Sequence, residues 1–456
     1  MKALFGTDGI RGEAGQFPLD SATVSAIGYS LALHLAGTVE APEIVIGRDT
    51  RESGEAIERA LVEGATRAGA RCLSAGVITT PGVAYLTRAL QAAAGVVISA
   101  SHNPYLDNGI KIFAPTGQKM DDSVEGLIES DVFGNAEQHA VSTASRRSSS
   151  PDLERILREE YLNFLARKIG QGLDLHGLKI VVDCANGASS ILAPALFSRL
   201  GANVIAINAS PDGRNINRDC GSLHIDSLQT RVVKERANFG VAFDGDADRS
   251  LFVDNEGKFV DGDATSWALA MYLKSHAQLK DDTVVATVMS NIGLEIAFRS
   301  EGIQLVRTDV GDKYVLEELM RRNASLGGEQ SGHIILPELS LAGDGMITTL
   351  CLLKAIRESQ KSLAQLTEGF KRYPQTLLNV RVRDKVPFAQ LSTVQAEVNE
   401  VEELLSQHGR LLLRYSGTEP LARVMIEGDN QFKIEGYAQR IADAIEREIG
   451  AGAPAS

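Results

Sequence analysis

Cysteine is scarce and scattered in this chain: Cys72, Cys184, Cys220 and Cys351 stand far apart, with no Cys-x-x-Cys pair. That spacing excludes a zinc or disulfide framework and fits reduced, partly buried thiols of a cytosolic protein. Long apolar runs are missing as well. No stretch approaches the roughly 18 uninterrupted apolar residues that span a bilayer, and residues 1–11 lack the apolar run of a signal peptide. A cytoplasmic location with no membrane partner is therefore expected. Aromatic residues make up only 5%, while hydrophobic residues reach 44% and charged residues 23%. This balance suits a well-buried α/β protein and excludes a largely disordered one. Positive charge is in deficit: 46 Lys and Arg against 59 Asp and Glu leave a formal net charge of −13. That excess argues against nucleic acid or an anionic membrane as a partner. An anionic substrate would need cationic groups concentrated locally.

What is present is length and an internal repeat. At 456 residues the chain exceeds what one hydrophobic core organises, so three or four domains are expected. One unit runs from the strand-like Glu43–Gly47 through the loop Arg48–Arg51 and a helical stretch to Ala68, then a strand-like Arg71–Gly76. A second unit pairs Leu178–Asp183 with Gly201–Ile207 around a helical stretch to Leu200, and a third pairs Thr283–Thr287 with Gly302–Val306 around a helix ending at Ser300. Each reads as buried strand, polar loop, amphipathic helix and buried strand, the βαβ half of a mixed or parallel sheet. Beyond Tyr373-Pro374 the pattern changes to α+β: a strand at Leu378–Arg383, a helix over Val394–Gln407, strands at Gly409–Arg414 and Ala422–Glu427, and a helix over Gln431–Ile449. Polar breaks at Ser142–Pro151, Asp254–Gly257 and Tyr373-Pro374 divide the chain into four domains, 1–150, 151–254, 255–372 and 373–456. The expected fold class is α/β, with three related mixed-sheet domains and a smaller α+β fourth.

Four short segments carry chemistry, one per expected domain. Ser99-Ala-Ser-His-Asn-Pro104 follows the apolar run Gly95–Ile98. A strand ending in such a loop can present the Ser101 hydroxyl at a sheet's carboxyl edge as a phosphoryl carrier, with His102 beside it; a plain polar turn is the alternative. Asp244-Gly-Asp-Ala-Asp-Arg249 sets three carboxylates at alternate positions, which repel unless a cation neutralises them. Hard oxygen ligands suit Mg²⁺ or Ca²⁺. An EF-hand would need Gly and Glu where Arg249 and Asn255 stand, so that reading fails. Gly327-Gly-Glu-Gln-Ser-Gly-His333 offers mixed donors and acceptors suited to sugar hydroxyls and an amine, or is simply a polar loop. Arg414-Tyr-Ser-Gly-Thr-Glu-Pro420, followed by Arg423, combines guanidinium groups, hydroxyls and amides in a phosphate nest, or in a structural turn. Arg11, in Phe5–Gly12, and Lys111, in Asp107–Lys111, gain interest only beside these four.

Together, in this order and spacing, the four segments resemble those of the α-D-phosphohexomutase superfamily over nearly the whole chain. The opening Phe5–Gly12, the ending Arg423–Gly428 and Gln330 in the third segment are similar to its bacterial branch acting on glucosamine phosphates. The metal loop carries Ala247 where many members have Gly. The resemblance implies four domains around a central cleft and a phosphoserine at Ser101. It implies one Mg²⁺ per chain, held by Asp244, Asp246, Asp248 and a phosphoserine oxygen. Glu329 and Ser331 would contact sugar hydroxyls, while Arg414, Ser416, Gly417, Thr418 and Arg423 would bind the non-reacting phosphate.

The implied reaction moves a phosphoryl group between the 6- and 1-positions of the amino sugar, through glucosamine 1,6-bisphosphate as primer and intermediate. His102 and Arg249 join the substrate contacts, Arg11 and Lys111 add positive charge, and His333 or Lys111 acts as the base. Reorientation of the intermediate would need the fourth domain to swing near Tyr373-Pro374. The resemblance also allows a homodimer. Two rivals stand beside this reading: a glucose or mannose phosphate mutase of broad tolerance, and a non-catalytic sugar-phosphate sensor.

Overall fold

A computed structural model describes residues 4–6, 8–37, 39–134, 150–416 and 419–451. Most of the Ser-rich break at 142–149, the tail 452–456, and Gly417 and Thr418 lie outside the described residues. The chain divides into two compact units, Met1–Met289 with Val306–Glu368, and Ser290–Leu305 with Gly369–Ser456.

The expected repeat is the organising feature. In the first sheet the order is Ile10–Glu13, Asp107–Phe113, Ala94–Ile98, Glu43–Arg48, Arg71–Val77. The second sheet repeats it as Phe259–Val260, Ser250–Asp254, Phe239–Phe243, Lys179–Asp183, Asn203–Ile207. In both, three strands run parallel and the fourth returns antiparallel beside the central one. The third sheet has the order Gln304–Thr308, Thr283–Thr287, Leu326–Gly328, Ile334–Ile335, its last pair antiparallel. The central strands Ala94–Ile98, Phe239–Phe243 and Leu326–Gly328 are buried along their whole length, which explains their unbroken apolar or small-residue sequences.

This topology positions the chemistry. Segments 99–106, 244–249 and 329–333 occupy one and the same place in the repeat, the connection from a central strand to its antiparallel neighbour. Three loops distant in sequence thus leave equivalent sheet edges, where α/β sites form.

Covering helices start on side-chain caps: Asp20, Thr79 and Asp344 each accept a backbone N–H of the first turn. Helices Ser21–Ala36 and Gly54–Arg67 pack almost backbone to backbone, because a Cβ on Gly64 would lie 1.8 Å from Ser25 O. The turn Asp254–Gly257, expected as a domain break, closes a hairpin onto Phe259–Val260, with Asp254 accepting from Glu256 N and Lys258 N.

In the second unit the antiparallel sheet Gln375–Arg381, Leu421–Glu427, Arg410–Tyr415 packs on helices Ser392–Leu405 and Gln431–Ile449. Its core of Val424, Ile426, Ile434, Ile441 and Ile445 is sealed from water, each such side chain contributing about 1.5–3 kcal/mol. Among the described residues no helix is long and apolar enough to cross a membrane.

Candidate active site

Ser101 lies at the turn out of Ala94–Ile98, in the left-handed region at φ +51°. Its hydroxyl donates to Asp244 Oδ2 at 2.5 Å and sits 3.4 Å from His102 Nδ1. The approach of the two loops requires Gly245, since a Cβ there would stand 2.5 Å from Ser101 O. Ala247 takes the left-handed φ of +57° that a glycine would adopt freely.

Asp244, Asp246 and Asp248 are all buried and bring one oxygen each within 4.8 Å of one another. Asp246 Oδ1 and Asp248 Oδ1 have no hydrogen-bond partner although sealed from solvent. Burial, with the charges of Asp248 and Asp246, holds Asp244 well above the usual carboxylate range. Buried, mutually repelling carboxylates with unused oxygens are the arrangement that a hard divalent cation relieves, so the residues fit Mg²⁺.

Positive charge surrounds the trio. Lys111 is buried, against the expectation for an isolated lysine, and its Nζ lies 3.1 Å from Asp246, 3.3 Å from Asp248 and 3.3 Å from Asp8. Burial opposes its charge, but those three carboxylates outweigh it and raise its pKa well above the ordinary value. Arg11 pairs with Asp8 at 2.6 Å and donates to Ala100 O at 3.1 Å. The backbone N–H of Arg249 donates to Asp244 Oδ1 at 3.1 Å, and its guanidinium reaches His102 Nδ1 at 3.3 Å. Burial and the charges of Arg249 and Arg11 lower the pKa of His102.

His333 joins the same group, with Nδ1 3.8 Å from Asp248 and Nε2 3.7 Å from Asp312. Burial alone would depress it, yet Asp248 and Asp312 push its pKa up to about 9. A cavity of about 710 Å³ is lined in part by Lys111, Lys119, Asp312 and His333. In the third loop Glu329 accepts from Gly311 N at 3.1 Å and from Ser331 Oγ at 3.2 Å, and Gln330 is anchored on Asp263 at 3.1 Å.

All these residues belong to the first unit, which therefore gathers Ser101, His102, Arg11, Lys111, the three aspartates, Arg249, Glu329, Ser331 and His333. The fourth segment belongs to the second unit. There Arg414 and Arg423 face each other across neighbouring strands, and Arg423 Nη2 approaches Ser416 Oγ at 3.4 Å. Lys385 adds a third cation, donating to Ser416 O at 2.5 Å.

Several participants were not singled out in the sequence. Thr80 donates to Asp246 at 2.6 Å, and Lys119 bridges Asp8 and Asp312 at 2.6 and 2.7 Å. Arg51 and Asn217 both donate to the Ser101 carbonyl. Only Asp8 and Arg51 stood inside quoted segments, and nothing local marked either.

Comparison with known proteins agrees with this architecture. Four models of phosphoglucomutase/phosphomannomutase match in order: alpha/beta/alpha domain I over residues 2–139, domain II over 159–257, domain III over 261–373, and the C-terminal domain over 377–444. The phosphoglucosamine mutase of Solibacter usitatus is 51% identical over 98% of this chain and 99% of its own length. That of Caldicellulosiruptor bescii is 46% identical over 98% and 100%. Among solved structures, a phosphoglucomutase/phosphomannomutase family protein of Burkholderia thailandensis superposes with a TM-score of 0.79 at 21% identity, covering 97% of both chains.

Proposed function

Because this chain belongs to the phosphoglucomutase/phosphomannomutase family, we propose that it interconverts glucosamine 6-phosphate and glucosamine 1-phosphate. The observation that carries the reading is the Ser101 hydroxyl held 2.5 Å from a carboxylate in a buried aspartate trio. Relatives of 45–51% identity bearing the name phosphoglucosamine mutase support the choice of sugar.

In the proposed reaction a phosphorylated Ser101 donates its phosphoryl group to a free sugar hydroxyl. The phosphorus–Oγ bond breaks as the phosphorus–sugar oxygen bond forms, giving glucosamine 1,6-bisphosphate. After the intermediate turns, Ser101 Oγ takes back the other phosphoryl group. The proton removed from the hydroxyl in the first half returns to the departing sugar oxygen in the second, so the cycle is balanced. Asp244, Asp246 and Asp248 would hold one Mg²⁺ with a phosphoserine oxygen, supplying a Lewis-acid offset to charge on the transferring group. Lys111, Arg11 and Arg249 add fixed positive charge around Ser101.

Of the two candidate bases, three carboxylates hold Lys111 protonated, whereas the Nε2 of His333 has no hydrogen-bond partner and is free to meet a substrate hydroxyl. The proposal therefore gives the proton shuttle to His333 and a fixed charge to Lys111. Glu329 and Ser331 would take sugar hydroxyls, and Arg414, Ser416 and Arg423 the non-reacting phosphate, with Gly417 and Thr418 beside them in sequence. A phosphorylated sugar does not cross membranes unaided, which puts the proposed activity in the cytoplasm.

The test is a coupled assay of Mg²⁺-loaded protein primed with glucosamine 1,6-bisphosphate, comparing glucosamine 6-phosphate with glucose and mannose phosphates, alongside Ser101→Ala. Preference for the amino sugar, lost in the variant, is expected. Equal or faster turnover of glucose or mannose phosphates would move the chain to the broad-tolerance mutases. No turnover of any of them would favour the sensor.

A further inference from the structure

We propose that Arg51, which lies outside the four loops, is a positioning residue that sets the Ser101 hydroxyl for phosphoryl transfer; the inference rests on the function proposed above. Arg51 is among the largest side chains wholly shielded from solvent, and its guanidinium is spent entirely on its own protein. Nε pairs with Asp49 Oδ2 at 2.9 Å. Nη2 donates to Ser101 O at 3.0 Å and Asn103 O at 2.8 Å. Nη1 donates to Asp107 O at 2.9 Å and also to Pro104 O. One planar fork thus gathers four carbonyls of the segment that carries Ser101.

The other side of Ser101 is held by the same pair. Asp49 Oδ2 also accepts from Ser99 Oγ at 2.7 Å, and Ser99 Oγ accepts from Ser101 N at 2.9 Å. Both peptide groups flanking Ser101 therefore lead back to the Asp49–Arg51 pair. Asn217 reinforces the arrangement by donating to the same two carbonyls, Ser101 O at 2.9 Å and Asn103 O at 3.0 Å.

The restraint has a purpose in the backbone. At φ +51° Ser101 occupies a region that costs a non-glycine residue about 1–2 kcal/mol. Such strain persists only where the surroundings over-determine it. Rotation of the peptides about Ser101 to a relaxed conformation would swing Oγ away from Asp244. Lysine at position 51 keeps the charge beside Asp49 but, as a point donor, cannot hold four carbonyls in one plane.

The experiment loads wild-type, Arg51→Lys and Asn217→Gly proteins with phosphate from glucosamine 1,6-bisphosphate and removes the excess. Single-turnover transfer to glucosamine 6-phosphate is then followed. The rate constant per phosphoserine does not depend on how much of each sample is folded, so a purely structural role would not move it. We expect a fall of about 100-fold in Arg51→Lys and about 10-fold in Asn217→Gly, with saturation by glucosamine 6-phosphate at unchanged concentration. Asn217 has φ +58°, which glycine adopts without strain, and its backbone bond to Ala185 O is retained, so this variant decides alone if Arg51→Lys does not fold. Wild-type rate constants in the folded variants would overturn the inference while leaving the functional reading intact. No transfer from the wild-type phosphoprotein would overturn both.

Discussion

Lys119 donates to Asp8 at 2.6 Å, and this contact closes a ring of six charges of alternating sign: Asp8, Lys119, Asp312, His333, Asp248 and Lys111. The ring ties the turn at Asp8 to the third loop through His333 and to the aspartate trio through Asp248. Each member has an opposite charge on both sides, which is how Lys111, Asp248 and His333 tolerate burial while the other three stay half-buried.

Removing one member should therefore cost more than a surface ion pair. Lys119→Met leaves Asp8 and Asp312 facing each other with their shared cation gone. We expect unfolding free energy to fall by about 1–3 kcal/mol in urea titration. Adding Asp312→Asn should recover part of that loss, and an additive double variant would show that the two are not coupled.

Mg²⁺ should stabilise the protein through the aspartate trio. The melting temperature of metal-free protein is expected to rise with added Mg²⁺, as for any ligand that binds only the folded state. In Asp244→Asn the rise should disappear, together with heat of binding in calorimetry. A full Mg²⁺-dependent rise in that variant would remove Asp244 from the metal site.

Ala247 offers a backbone test, since its left-handed φ of +57° is combined with complete burial. Ala247→Gly should change stability by less than about 1 kcal/mol, because relief of strain offsets the greater freedom of the unfolded chain. Ala247→Val should lose about 2 kcal/mol or more and reduce Mg²⁺ affinity, as a β-branched residue resists that conformation. Equal stability of the two variants by thermal melting would refute this reading of the metal loop.

Asp344 predicts a pH dependence of stability. It caps helix Gly345–Ser359 and accepts from Tyr161 at 2.6 Å, but burial pushes its pKa up to about 6 from an ordinary 3.8. The folded protein then binds the proton more tightly than the unfolded chain. Its contribution to stability is fully present below about pH 4 and is lost as pH rises to about 6, on the order of 3 kcal/mol. Asp344→Asn keeps the cap and removes the titration. Its melting temperature relative to wild type should climb between pH 4 and 7, and a flat difference would discount the shift.

The repeat and the four loops were legible in the sequence because their signals are local. Thr283–Thr287 and Gln431–Ile449 have the same limits in sequence and structure, since buried strands and capped amphipathic helices declare themselves within one window. At Asp254–Gly257 the polar composition marked a break but not the hairpin it closes, which depends on the pairing of Phe259–Val260 with the preceding strand. Lys111 gained interest only beside the four segments, because nothing in its own neighbourhood shows that it is buried among carboxylates. Its partners Asp246 and Asp248 stand 135 and 137 residues away.

The sequence by itself determined which groups are available and which lie side by side: a serine after a buried strand, three aspartates in one turn, a glutamate and histidine in one loop, and arginines flanking a glycine. Contiguity sets those groupings, because residues of one short loop cannot separate far. Only the tertiary structure decided that Ser101 meets Asp244, that Lys111 is buried among carboxylates, and that Arg51 and Asn217 hold the serine turn. Those relationships depend on which strand ends share an edge and on how deeply each charge is withdrawn from water. Coulombic attraction and desolvation act through space, and neither is encoded in separation along the chain.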